Sequence, residues 1–205
     1  MKTEEEHARR FNRGAQNHTT DRCPGRGQCM EMVLRLLDPR PEDVVLDIGC
    51  GPGTQLMGLS PSIREGLGLD PAAAMIQRAT EQAVRWPNIH FHLGSAQRLP
   101  DDIRAAGINK IFSNYALHHL QDDAKRAVIR SLAELLSTAG MVVLGDLMFS
   151  DDPEQHESLF EVVGYGPGSD TPAYVSALEE MFASAGLRSR THVLNPLVGV
   201  IVGRK

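Results

Sequence analysis

The residues best placed to do chemistry lie at the ends of two short apolar runs. Val44-Val45-Leu46 leads into Asp47-Ile48-Gly49-Cys50-Gly51-Pro52-Gly53-Thr54, an acid followed by three glycines at every second position. Glycine admits positive φ and has no Cβ, so a ligand can approach the backbone of such a turn. The second run, Gly66-Leu67-Gly68-Leu69, is closed by Asp70. Nucleotide-binding α/β folds place a carboxylate there, about twenty residues past the glycine turn, to take ribose hydroxyls. Two strand ends that each carry an acid therefore mark a site for a nucleoside-containing ligand. A further stretch, Asn114-Tyr115-Ala116-Leu117-His118-His119-Leu120, supplies acid-base groups in Tyr115, His118 and His119. A histidine that titrates near neutrality can take a proton from an attacking hydroxyl, amine or thiol.

The elements around these residues read as an alternating α/β chain. Val44 onward is a buried strand, and Leu67, Ile89-His90-Phe91-His92 and Ile108 to Ser113 mark three more. Asn109 and Lys110 interrupt the apolar run of the fourth. Met141 to Asp146 is a fifth strand, and Leu187 to Leu194 with Val198 to Val202 makes a closing hairpin around Asn195-Pro196. Between them lie helices. Met30, Val33, Leu34 and Leu37 form one apolar stripe that ends at Pro39 and Pro41. Thr54 to Leu59 is a short helix broken by Ser60-Pro61. Asp70-Pro71 opens a helix that runs to Val84, with Met75 and Ile76 within it. Gln121 to Ser137 presents Val128, Leu132, Leu135 and Leu136, and the last helix runs from Ala173 to Ala185. In open α/β sheets ligands sit beyond the carboxyl ends of the strands, so the 114–120 stretch faces the same crevice as the glycine turn.

Composition narrows the class. A chain of 205 residues with 41% hydrophobic content fits one domain with a sizeable core. A net charge of −5 with scattered basic residues gives no footprint for nucleic acid. No apolar run is long enough for a bilayer, and the polar N-terminus does not read as a signal peptide, so a cytoplasmic protein is expected. Cys23, Cys29 and Cys50 are odd in number and match no zinc spacing. Neither a disulfide framework nor a metal site is predicted; Cys23 and Cys29 read as unrelated thiols, the alternative being that they, with His18 nearby, bind a soft metal or a metalloid and serve in methylation of a metalloid or thiol. His90 and His92 read as structural histidines.

The glycine spacing discriminates between cofactors. Dinucleotide folds use G-x-G-x-x-G, whereas Asp47-x-Gly49-x-Gly51-x-Gly53 resembles the first motif of class I S-adenosylmethionine-dependent methyltransferases. Gly94-Ser95-Ala96-Gln97-Arg98-Leu99-Pro100 resembles that family's Gly-Asp-Ala-x-x-Leu-Pro segment, with Ser95 in place of the acid, and Asn114 to Leu120 resembles its loop after the fourth strand. The resemblance runs from about Gly27 to Lys205. It implies a Rossmann-like, doubly wound sheet of seven strands with an antiparallel C-terminal hairpin. It also implies S-adenosylmethionine as cofactor and a small molecule as acceptor. Asp47 and the backbone of Gly49, Cys50, Gly51 and Gly53 would then hold the methionine end. Asp70 with Pro71 would take the ribose, Met75 would lie near ribose and adenine, Ser95 with Ala96 would meet the adenine, and Asn114 would complete the wall. A non-methylating member of the fold, such as a cyclase or regulatory module, is the alternative. Residues 1–25, with Phe11-Asn12-Arg13-Gly14-Ala15, resemble the family's lid, and His18 stands near the place of its usual tyrosine. Residues 26–205 would form the methyltransferase domain. Within it, 149–172 reads as a pocket-forming insertion with Asp146, Met148, Phe149, His156, Phe160 and Tyr165 as candidate lining, or else as a plain solvated loop.

Overall fold

The computed structural model describes residues 25–156 and 170–205, together with Arg9, Asn12 and Ser158. Its elements run α1 (Arg26–Leu37), β1 (Val44–Ile48), α2 (Thr54–Leu59), β2 (Glu65–Asp70), α3 (Ala73–Gln82), β3 (Ile89–Leu93), α4 (Asp101–Ala105) and β4 (Lys110–Asn114). They continue with α5 (Asp122–Leu135), β5 (Met141–Phe149), β6 (Ala173–Tyr174), α6 (Val175–Ser184), β7 (Arg188–Asn195) and β8 (Val198–Arg204). The main sheet has seven strands in the order β3-β2-β1-β4-β5-β8-β7, and β6 pairs with β5 beside that path. β1 to β5 are mutually parallel, while β8 runs antiparallel to β5 and to β7. The chain reverses its direction of winding between β1 and β4, and this switch point opens a crevice above two carboxyl ends.

Strand alternation sends successive side chains to opposite faces. Val44, Leu46 and Ile48 join a core with Val128, Ile129 and Leu132 of α5 and Met181 and Phe182 of α6. Val45 points the other way, into a core with Cys29, Val33 and Leu37 of α1 and Leu56 of α2. Asp47 shares the Val45 face by the same periodicity, so its carboxyl is buried because it stands on a central strand covered on both sides.

Several boundaries differ from the sequence reading, each for a physical reason. The stripe of α1 is Cys29, Val33 and Leu37, whereas Met30 and Leu34 are only partly buried. Cys29 is a core residue, with its thiol directed at the Gly199 carbonyl. β4 begins at Lys110, because Asn109 and Lys110 serve a polar cluster at the amino end of the sheet. There Asn109 Nδ2 donates to Asp43 (2.6 Å), Lys110 Nζ lies 2.8 Å from the same carboxylate, and Val44 N donates to Asn109 Oδ1. α3 starts at Ala73, after the extended Ala72. β5 continues three residues past Asp146, so Met148 and Phe149 are sheet core and not pocket lining. Ala173-Tyr174 is a strand and not the first turn of a helix, since both residues pair with the end of β5. Among the described residues, no helix is long and apolar enough to cross a membrane.

Close packing leaves little room at some glycines. A Cβ on Gly203 of β8 would lie 2.3 Å from the Phe182 ring, which is fully buried. Gly203→Ala is therefore expected to lower unfolding stability by about 1–3 kcal/mol, as overpacking does. Urea unfolding would check this, and an unchanged midpoint would show that Phe182 yields.

Candidate active site

The glycine turn is fastened to β2 before any ligand is considered. Gly49 N and Cys50 N both donate to the Leu69 carbonyl, at 2.8 and 3.1 Å, and Gly51 N donates to Asp70 Oδ2 at 2.9 Å. Gly49, Gly51 and Gly53 all have positive φ. Gly49 also lies against Ala116, where a Cβ would come within 2.4 Å of that methyl group. Gly53 is pressed onto the Phe91 ring from β3, so it shapes the turn from behind and does not line the cleft.

A cleft of about 410 Å³ opens above the turn. Its wall includes Gly49, Cys50, Gly51, Asp70, Pro71, Met75, Ala96 and Asn114 of the predicted cofactor set, with Tyr115 and His119 of the predicted catalytic set. Arg26, Gln55, Arg78 and Gln97 also line it, and no periodicity or motif in the sequence marked them. Ser95 stands outside the cleft wall, its hydroxyl accepting the Gln97 N–H within its own turn (3.2 Å). Ile76 does not line it either. Of the N-terminal segment, Asn12 is described, and its Oδ1 accepts the Ala74 N–H in the first turn of α3, next to Met75.

The two acids are distinct electrostatically. Asp47 is buried, and among the described residues no hydrogen-bond donor to its carboxyl is found. Burial pushes its pKa well up, and the charge of Asp70 pushes in the same direction. Asp70 is also raised by burial, although the Ala72 and Gly51 N–H groups oppose the shift. Each oxygen of Asp70 accepts one backbone N–H and keeps a lone pair, enough for two vicinal hydroxyls. Burial drives the Cys50 thiol well above its usual range as well, so it is a small wall residue and not a nucleophile.

The stretch after β4 separates the two histidines. Tyr115 sits at φ 55°, a conformation a non-glycine residue rarely adopts, and the Arg26 guanidinium lies 4.6 Å over its ring. His118 is buried, with Nδ1 2.5 Å from Asp146 Oδ1. A carboxylate only accepts, so Nδ1 carries the proton. The other oxygen of Asp146 accepts the N–H groups of Leu117 and His118 at 2.8 and 3.1 Å. Burial raises the Asp146 pKa, but the charge and hydrogen bond of His118 outweigh that and hold it below the usual value. His118 does not reach the cleft, whereas His119 does, with its Nδ1 2.8 Å from Asp170. Asp146 therefore holds the loop and is not acceptor lining. His90 and His92 sit on the edge strand β3 beside Glu65 and Asp102, away from the cleft. His156 lies in a 3-10 turn, 3.6 Å from Asp151, and Phe160, Tyr165, His18 and Cys23 fall outside the described residues.

A doubly wound sheet with an acid and a glycine turn at its switch point has the layout of a nucleoside-cofactor site, and comparison with known proteins points the same way. Residues 45–140 match the family model described as a methyltransferase domain. The uncharacterized methyltransferase YcgJ of Bacillus subtilis is 29% identical over 147 residues, covering 70% of this chain and 56% of that protein. Indolepyruvate C-methyltransferase of Streptomyces griseus is 30% identical over 158 residues, covering 74% of this chain and 45% of that one. The chain thus spans about half the length of these two relatives. Among solved structures, YcgJ superposes with a TM-score of 0.69 at 22% identity, over 87% of this chain and 98% of that one. The DhpI-SAH complex superposes with a TM-score of 0.74 at 19% identity, over 98% and 96%. Residues 45–140 thus match a methyltransferase domain, and the chain as a whole is similar to class I S-adenosylmethionine-dependent methyltransferases.

The residues present fit that family's cofactor. An acid with two open lone pairs and a positive-φ cradle suit a ribose and a close backbone approach respectively, while Asp47 is desolvated on β1, outside the cleft wall. The same desolvation has a cost in the folded chain. Because the folded pKa of Asp47 is raised, the stability linked to it is present at low pH and lost as pH rises through the folded value. Asp47→Asn is expected to raise the Tm at pH 7.5, with the gain shrinking toward pH 4, while S-adenosylhomocysteine binding weakens. Thermal unfolding at both pH values, paired with calorimetry, measures each effect.

Proposed function

We propose that the chain transfers a methyl group from S-adenosylmethionine to a small-molecule acceptor. The observation that carries this reading is Asp70 beside the positive-φ glycine turn in the wall of one cleft, with Asp47 buried on the adjacent strand. The bound cofactor would supply an activated sulfonium carbon, and the protein would supply position and desolvation. Asp47 and the backbone from Gly49 to Gly53 would hold the methionine end. Asp70 and Pro71 would hold the ribose, and Met75, Ala96 and Gln97 the base. Ser95, turned into its own loop, would act by shaping that wall. Asn114 closes the cofactor side through its bond to Gln55 (3.0 Å).

Tyr115 and His119 would form the acceptor end, with His119 managing the acceptor's proton. His118 is assigned to holding the loop. Residues 1–25 would serve as a lid, a reading that the bond between Asn12 and Ala74 supports. The stretch between the end of β5 and β6 would contribute to the acceptor pocket. A relative named for methylating indolepyruvate is consistent with a small organic acceptor.

A screen of candidate acceptors for S-adenosylhomocysteine formation tests the activity. Binding of neither S-adenosylmethionine nor S-adenosylhomocysteine in calorimetry would reject it, and binding without turnover on any acceptor would favour a non-methylating role. The two histidines are expected to separate. His119→Ala should cut kcat by roughly 100-fold, a usual size for acid-base assistance, with cofactor affinity unchanged. His118→Ala strands the buried Asp146 charge and should destabilise the fold by about 3–5 kcal/mol. Equal loss of stability in both variants would overturn that division.

A further inference from the structure

We propose that His118 Nε2, His119 Nδ1 and a carboxylate oxygen of Asp170 form a binding site for one divalent transition-metal ion of the zinc class. These three donor atoms come from two separate parts of the chain and lie within 4.8 Å of one another. His119 Nδ1 is 2.8 Å and His118 Nε2 is 3.9 Å from the same Asp170 oxygen. An ion bonded at 2.0–2.2 Å sets tetrahedral ligands roughly 3.4 Å apart, so the two spacings to Asp170 bracket that value, and the three atoms would draw in from within 4.8 Å of one another.

Three features favour an ion over a plain hydrogen-bonded cluster. First, Asp146 already holds the Nδ1 proton of His118 at 2.5 Å, which fixes Nε2 as the ring's lone-pair atom. A ligating histidine is usually oriented in just this way, by a carboxylate on its other nitrogen. Second, both imidazoles face one oxygen of Asp170, at 2.8 and 3.9 Å, so the three donor groups already converge. Third, two imidazoles and one carboxylate suit a borderline metal, and three protein ligands leave a fourth position. His119 stands in the cleft wall, so solvent or a substrate has a way in.

On loading, His119 would shift its proton from Nδ1 to Nε2 and become a ligand, so the loaded ring would not itself take the acceptor's proton as the methyl-transfer reading has it for the ion-free protein. The site itself does not rest on that reading, because ion binding is measured on the free protein.

The test is titration of chelator-treated protein with zinc chloride by calorimetry, with cobalt(II) absorption as a second readout. One equivalent of zinc is expected, weakened at least tenfold in both His119→Gln and Asp170→Asn. Cobalt should give a nitrogen and oxygen ligand spectrum without thiolate charge-transfer bands. Circular dichroism confirms that each variant is folded. No zinc uptake by the wild-type chain overturns the proposal. So does uptake unchanged in the two variants, or a thiolate spectrum that disappears in Cys23→Ser.

Discussion

One buried carboxylate organises the working end of this molecule. Asp146 leaves the carboxyl half of β5 and accepts from the Leu117 and His118 N–H groups, from the His118 ring and from its own neighbour Leu147. Those bonds fix the loop that follows β4, and through it the strained Tyr115 and the position of His119. The loop in turn anchors the next segment. The His118 carbonyl accepts from Thr171 N, and the Thr171 hydroxyl donates to the Leu120 carbonyl. A single acid thus ties three parts of the chain that are distant in sequence, inside a region where an unpaired charge would be costly.

The opposite requirement governs Asp47 and Asp70. Both stand at the carboxyl ends of central strands, where covering helices remove water and raise the cost of charge. Asp146 has its compensation within the protein, whereas Asp47 has none among the described residues. A site that holds charge ready for an incoming group differs in this way from one that uses charge to hold itself together. The contrast between strands of one sheet is a more specific mark of function than the burial of any one acid alone.

The sequence was most informative where a local pattern carries a physical necessity. The strand before the glycine turn, the acid closing β2 and the closing hairpin all follow from period-two alternation and the conformational needs of the turn. It was less informative where one pattern serves two ends. Asn109 and Lys110 look like a weak strand but clamp Asp43, and a two-residue strand at Ala173 has no periodicity to detect. His118 and His119 are adjacent and chemically identical, yet one faces the protein and the other the cleft. Only the position of Asp146 and Asp170 in space separates them. Arg26 is likewise invisible in one dimension, because its role depends on α1 delivering it over the Tyr115 ring.

The short strand β6 carries a consequence for how such a cleft can change over time. Paired with the last two residues of β5, it fixes the points where the chain departs from the sheet and returns to it. Once both ends are pinned, the entropy of the connecting stretch grows only slowly with length, by about 0.6 kcal/mol per doubling. Residues between those anchors can be lengthened, shortened or rewritten while the sheet and both core layers keep their packing. The fold therefore behaves as a fixed chassis whose connection between β5 and β6 tolerates change in length at little risk to the architecture.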